Sequence, residues 1–89
     1  MISIDRTRLE EFFRSLKPEE MREFRTQYLR IPQEDFAYTL LSERSTVYRW
    51  ESSKNHSTPS SQSAYFAVER FRERLERYYL DKQEIGAVA

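Results

Sequence analysis

Residues 31–51 read IPQEDFAYTLLSERSTVYRWE, and this stretch decides the fold. It holds two short helical patterns with room for only a turn between them. In the first, over 33–40, Phe36, Ala37 and Leu40 recur at helical spacing, with Pro32 just ahead of them. In the second, over 42–52, Val47 and Trp50 fall on one side when residues are placed about 100° apart. Arg44, Ser45, Tyr48, Arg49 and Ser52 fall together on the opposite arc. Ala37 is small where Phe36 and Leu40 are large, which suits the contact of two closely crossing helices. A turn of about three to four residues between such helices predicts a helix-turn-helix. Phe36, Ala37, Leu40, Val47 and Trp50 would then be one continuous core.

The flanks are helical too. Residues 5–16 place Leu9, Phe12, Phe13 and Leu16 on one face. Lys17-Pro18-Glu19-Glu20 opens a second helix, with proline at the first helical position and acids in the first turn. Met21, Phe24, Tyr28 and Leu29 form its apolar stripe. Residues 52–59 are a polar loop, after which Thr58 or Ser60 can cap a last helix over about 59–82. Residues 83–89 read as a frayed tail. The one glycine, Gly86, lies there, and strand and hairpin signals are missing. The expectation is an all-α compact helical bundle, one domain over 1–89. It combines the helix-turn-helix with an extra N-terminal helix and a long C-terminal helix.

On that last helix Ala64, Val68, Phe71, Leu75 and Tyr78 follow each other at spacings of 4, 3, 4 and 3. The pattern fits a stripe over an intramolecular core. It also fits a heptad-like dimer seam through Val68, Phe71, Leu75 and Tyr78. Tyr65, Phe66 and Tyr79 on the same helix add aromatic surface of the kind enriched at interfaces.

Composition narrows the function classes. With 89 residues there is room for one domain, and without cysteine there is neither disulfide nor thiolate metal site. No apolar run approaches the roughly 18 residues of a membrane span, and no basic-then-apolar leader is present, which points to a soluble cytoplasmic protein with no membrane partner. The fifteen cations balance fifteen acids, so a nucleic-acid surface must arise from spatial segregation of charge. Twelve of the cations are arginine, a residue suited to phosphate and base edges and equally to ion pairs. Adjacent acids such as Glu10-Glu11 and Glu34-Asp35 diverge on a helix. His56, the only histidine, has no partner at ligand spacing. No nucleophile–base set, metal cluster or phosphate loop is evident, so neither catalysis nor a metal or other cofactor is expected.

Residues 31–51 resemble, without a gap, the helix-turn-helix of the Cro and lambda-repressor (XRE-type) regulators. Gln33, Glu34, Ala37, Leu40, Arg44, Ser45, Thr46, Val47, Arg49, Trp50 and Glu51 carry the likeness, which covers about a quarter of the chain. The resemblance implies double-stranded DNA as partner. Arg44, Ser45 and Arg49 would face base edges, and Gln33, Tyr48 and Lys54 would lie at the backbone. It also implies a homodimer on a palindromic operator, acting as a repressor. Arg22 and Arg25 could add to the basic surface. Three positions depart from the pattern. Leu41 replaces the usual glycine, Ser42 the apolar residue after it, and Glu43 the usual cap, which leaves Ser42 as the residue placed to cap the second motif helix. The rival expectation is an antitoxin-like or accessory module acting through a protein partner.

Overall fold

The computed structural model describes the backbone of residues 4–88 and the side chains of residues 4–83. The described residues form five helices and no strand. These are α1 (Arg6–Arg14), α2 (Pro18–Glu23, running on as a π-helical segment Phe24–Leu29), α3 (Gln33–Thr39), α4 (Arg44–Trp50) and α5 (Ser61–Val88). The chain is all-α, as its periodicity predicts. Its radius of gyration, 12.4 Å, is that of a compact domain.

Each helix starts and stops for local reasons. Pro18 sits at the head of α2, and the Lys17 N–H donates to Glu20 Oε1 at 2.9 Å. Burial raises the Glu20 carboxyl, but the Lys17 N–H and the Lys82 ammonium at 3.3 Å outweigh it and hold the group below its ordinary value. The wide π turns close with the Ile31 N–H reaching Arg25 O, and the chain then leaves through Arg30 at φ 57°. Ser60 Oγ accepts from the Ser63 N–H at 3.1 Å, which satisfies an orphan donor at the start of α5.

The apolar stripes meet in one core. Leu9, Phe13, Met21, Phe24, Phe36, Leu40, Val47, Trp50 and Leu75 are all at most 1% exposed. Phe13 links α1 to the others: its ring meets Phe24, Phe36 and Trp50 in edge contacts at 6.1–6.2 Å. α1 and α5 form the most extensive helix pair. The chain just ahead of α1 is tied to the middle of α5, where Arg72 Nη2 donates to Ile4 O at 2.7 Å. Tyr78 Oη donates to Glu23 Oε1 at 2.7 Å, so burial and this carboxylate push its pKa upward.

Two expectations about the last helix change. Residues 83–88, read as tail, continue α5, which runs to Val88; Ala89 lies outside the described residues. The proposed dimer seam is closed inside the chain. Val68, Leu75 and Tyr78 are buried in the domain's own core and only Phe71 is half-buried, so three of its four residues have no surface to offer a second copy. The intramolecular stripe is the reading that holds. α1 has to bury its own apolar face, and α5 is what it packs on.

Candidate nucleic-acid interface

The turn between α3 and α4 sets the site. The Ser42 N–H donates to Ala37 O at 2.8 Å and the Leu41 N–H to Tyr38 O at 3.1 Å. Together they make a Schellman close of α3, with Leu41 in the left-handed position at φ 54°. A leucine there is strained by on the order of 1 kcal/mol, because its Cβ crowds the following carbonyl. Leu41, like Arg30, takes a left-handed conformation that favours glycine, and the backbone makes the turn without one.

The cap expected of Ser42 is not made. α4 begins at Arg44 with Glu43 at the N-cap, whose side chain makes no capping bond. Ser42 belongs to the close of α3, and its hydroxyl lies 3.2 Å from Ser63 Oγ on α5. Its N–H donates to Ala37 O, so the residue completes the turn, and α4 follows from Arg44.

The inner face of α4 is fixed tightly. Val47 and Trp50 are buried, and the Trp50 ring meets Phe36 of α3 edge-on at 6.1 Å. Ala37, 2% exposed, and Leu40 complete the contact. All five residues expected in the motif core are there. A polar brace adds to them at the C-terminal end of α4. Arg25 holds Glu51 through two hydrogen bonds, Nε to Oε2 at 2.6 Å and Nη2 to Oε1 at 3.0 Å. The two side chains are 11% and 5% exposed. Arg25 Nη1 also donates to Ile31 O at 2.9 Å, and Gln33 Nε2 reaches Glu51 Oε1 at 3.2 Å. The brace therefore joins α2, the loop before α3, and α4.

The brace corrects one expectation and narrows another. Arg25 is no part of a basic surface, because its guanidinium is consumed by Glu51 and Ile31. Gln33 is half-buried with one amide N–H engaged, so only the other is left for an outside acceptor. The sequence did hold a signal for Glu51: it follows Val47 by four residues and so falls on the inner side of α4. Nothing in the sequence indicates that its partner lies on α2.

The outer face is open. Arg44, Ser45, Tyr48 and Arg49 are exposed on α4, and Lys54 is exposed in the loop after it. Among the described residues, no side-chain hydrogen bond or ion pair involves Arg44, Arg49 or the Lys54 ammonium. Tyr48 is 57% exposed, and two further apolar side chains stand out nearby in the chain, Tyr38 at 81% and Leu41 at 66%. Glu34, Asp35 and Glu43 are exposed at the starts of α3 and α4. The three exposed cations of the motif region are thus matched by three exposed acids. The acids suit the helix dipoles at those N-termini; Arg44 opens α4 beside Glu43, and Arg49 lies in its last turn, where a cation is favoured. Among the described residues, no helix is long and apolar enough to cross a membrane.

Comparison with family models, with curated proteins and with solved structures finds no match to this chain.

Proposed function

We propose that the chain is a sequence-specific DNA-binding transcription regulator that places α4 in the major groove. One observation carries this reading: α4 is locked through Val47, Trp50 and Glu51 while the opposite arc presents Arg44, Ser45 and Arg49, whose side chains have no partner among the described residues. A rigid helix with a free arginine face is what direct readout requires. Arginine can pair bidentately with guanine O6 and N7, and serine can meet any base edge. Tyr48, Lys54 and the second N–H of Gln33 would meet phosphates. A homodimer on an inverted repeat, blocking transcription by occupying it, completes the proposal. Its protomers would meet through surface other than the buried residues of α5.

The test is selection of bound duplexes from a random pool, followed by anisotropy titration with wild type and Arg49→Ala. Enrichment of an inverted repeat, with Arg49→Ala losing about 1–3 kcal/mol and relaxing one position, is the expected result. No enriched sequence at any salt concentration would end the reading.

The second reading is an accessory module that works through a protein partner. Tyr38, Leu41 and Tyr48, large side chains exposed around the motif turn, favour it, as does the balance of charge in the motif region. It expects tight complex formation, with DNA affinity rising only when the partner is present.

A further inference from the structure

Two departures from regular helix lie at one groove. One is the π-helical segment Phe24–Leu29, which packs on α5. The other is Phe71, whose φ of −130° and ψ of 27° break α5 in the middle. π turns inside helices recur at functional sites, since they trade regular bonding for an altered surface. Here the two breaks open a groove of about 480 Å³, walled by Leu29 on one side and by residues 69–74 of α5 on the other.

The groove combines one apolar side chain on each wall with unbalanced positive charge. Leu29 and Phe71 are half-buried, and Arg70 lies over the Phe66 ring at 4.9 Å. Arg74 reaches across to donate to Tyr28 O at 2.7 Å, which uses one of its five N–H groups. Glu69 is taken by Arg6 at 2.7 Å, and Arg72 by Glu76 and Ile4 O. That leaves Arg70 and Arg74 against Glu73 alone, with exposed Arg30 next to Leu29 and exposed Arg77 one residue short of a turn beyond Arg74. Among the described residues, none of Arg30, Arg70, Arg74 and Arg77 has a carboxylate within ion-pair distance. An anion made only of phosphates would leave the exposed parts of Leu29 and Phe71 uncovered. A polypeptide can supply carboxylates and an apolar side chain together.

We propose that the groove between the π-helical segment and the broken middle of α5 is a docking site for an acidic polypeptide segment. Arg70 and Arg74 take its carboxylates, and one bulky apolar side chain lies against Leu29 and Phe71. The site stands apart from α4, so it holds whether or not α4 reads DNA.

The probe is a short fluorescent peptide of glutamates flanking a single leucine, titrated by anisotropy against the full chain. Wild type is expected to bind it saturably. Replacing the peptide's leucine by glycine should weaken binding about tenfold, the scale of one buried side chain. The double substitution Arg70→Glu, Arg74→Glu should weaken it by at least as much, with the helical circular dichroism unchanged. If the double variant fails to fold, Arg70→Gln alone and the glycine peptide give the same comparison on folded protein. Absence of saturable binding up to about 1 mM would overturn the proposal. So would equal affinity for the two peptides, or an undiminished affinity in the charge-reversed protein. A random-sequence DNA duplex that displaces the leucine peptide and loses affinity in the same double variant would reassign the groove to phosphate and also overturn it.

Discussion

Arg25 and Arg49 have the same side chain and opposite surroundings. Arg25 is walled in at the inner side of α4, with two of its nitrogens on Glu51 and a third on the Ile31 carbonyl. Arg49 stands on the outer side of α4 with no partner among the described residues. One arginine is a strut and the other is available chemistry. The difference lies in what the rest of the fold brings to each: α2 delivers a guanidinium to Glu51, and nothing is delivered to Arg49. Arginine content in a sequence is therefore a poor guide to a nucleic-acid surface until the struts have been subtracted.

The two sides of α4 should respond differently to substitution, and the largest effects belong to the inner side. Trp50→Ala removes a ring that touches Phe13 and Phe36 and should lower stability by about 3–5 kcal/mol, measured by urea denaturation. A loss below about 1 kcal/mol would mean that α4 is not anchored from within. Glu51→Ala leaves Arg25 buried without its carboxylate and should lower stability by on the order of 3 kcal/mol. If Glu51→Ala proved no worse than a surface change, the strut description of Arg25 would be wrong.

On the outer side the balance reverses. Arg49→Ala should change stability by less than about 0.5 kcal/mol, while DNA affinity falls by about 1–3 kcal/mol. Losing both together would place Arg49 with the struts.

Tyr28 extends the comparison to α5, where it donates to Asp81. Burial, followed by that carboxylate, pushes the phenol from its ordinary value near 10 up to about 12. An unfolded chain gives up this proton near pH 10, whereas the folded chain keeps it. The contribution is therefore fully present below pH 10 and is lost as pH rises toward 12. Tyr78, also raised, adds in the same direction. Tyr28→Phe should lower stability at neutral pH by about 1 kcal/mol and flatten the decline between pH 10 and 12. Denaturation midpoints across that range read it.

The smallest effect has the opposite sign. Leu41→Gly relieves the left-handed strain at φ 54° but loosens the unfolded chain, and should raise the melting stability by up to about 1 kcal/mol. Destabilisation would show that the Leu41 side chain makes contacts outweighing its strain.

Much of the domain was legible in the sequence because helical periodicity records burial. Phe36, Ala37, Leu40, Val47 and Trp50 were placed by spacing and lie in the core as expected. Pro18 and Pro32 marked the helix starts next to which they sit. The left-handed position at Leu41 followed from the place glycine takes in the resembling motif, although leucine disguises it. Other features were hidden. The Ser42 cap is not made because α4 begins a residue later than expected, with Glu43 at the N-cap, and the Ser42 hydroxyl lies against Ser63 Oγ of α5 instead. The heptad spacing of Val68, Leu75 and Tyr78 is silent about whose surface covers them. The π turns of 24–29 and the break at Phe71 carry no glycine or proline to announce them.

The sequence by itself determined that the chain is helical, roughly where each helix lies, and which face of each is apolar. These depend on spacing, caps and prolines within a few residues of one another. Tertiary structure alone decided that α1 covers the stripe on α5 and that two helix irregularities meet at a groove. It also decided which arginines are struts and which are free. Those outcomes rest on pairs far apart in the chain, Arg25 with Glu51, Tyr28 with Asp81 and Ile4 with Arg72. A charged side chain takes whichever partner packing brings within reach, and local sequence holds no record of that partner.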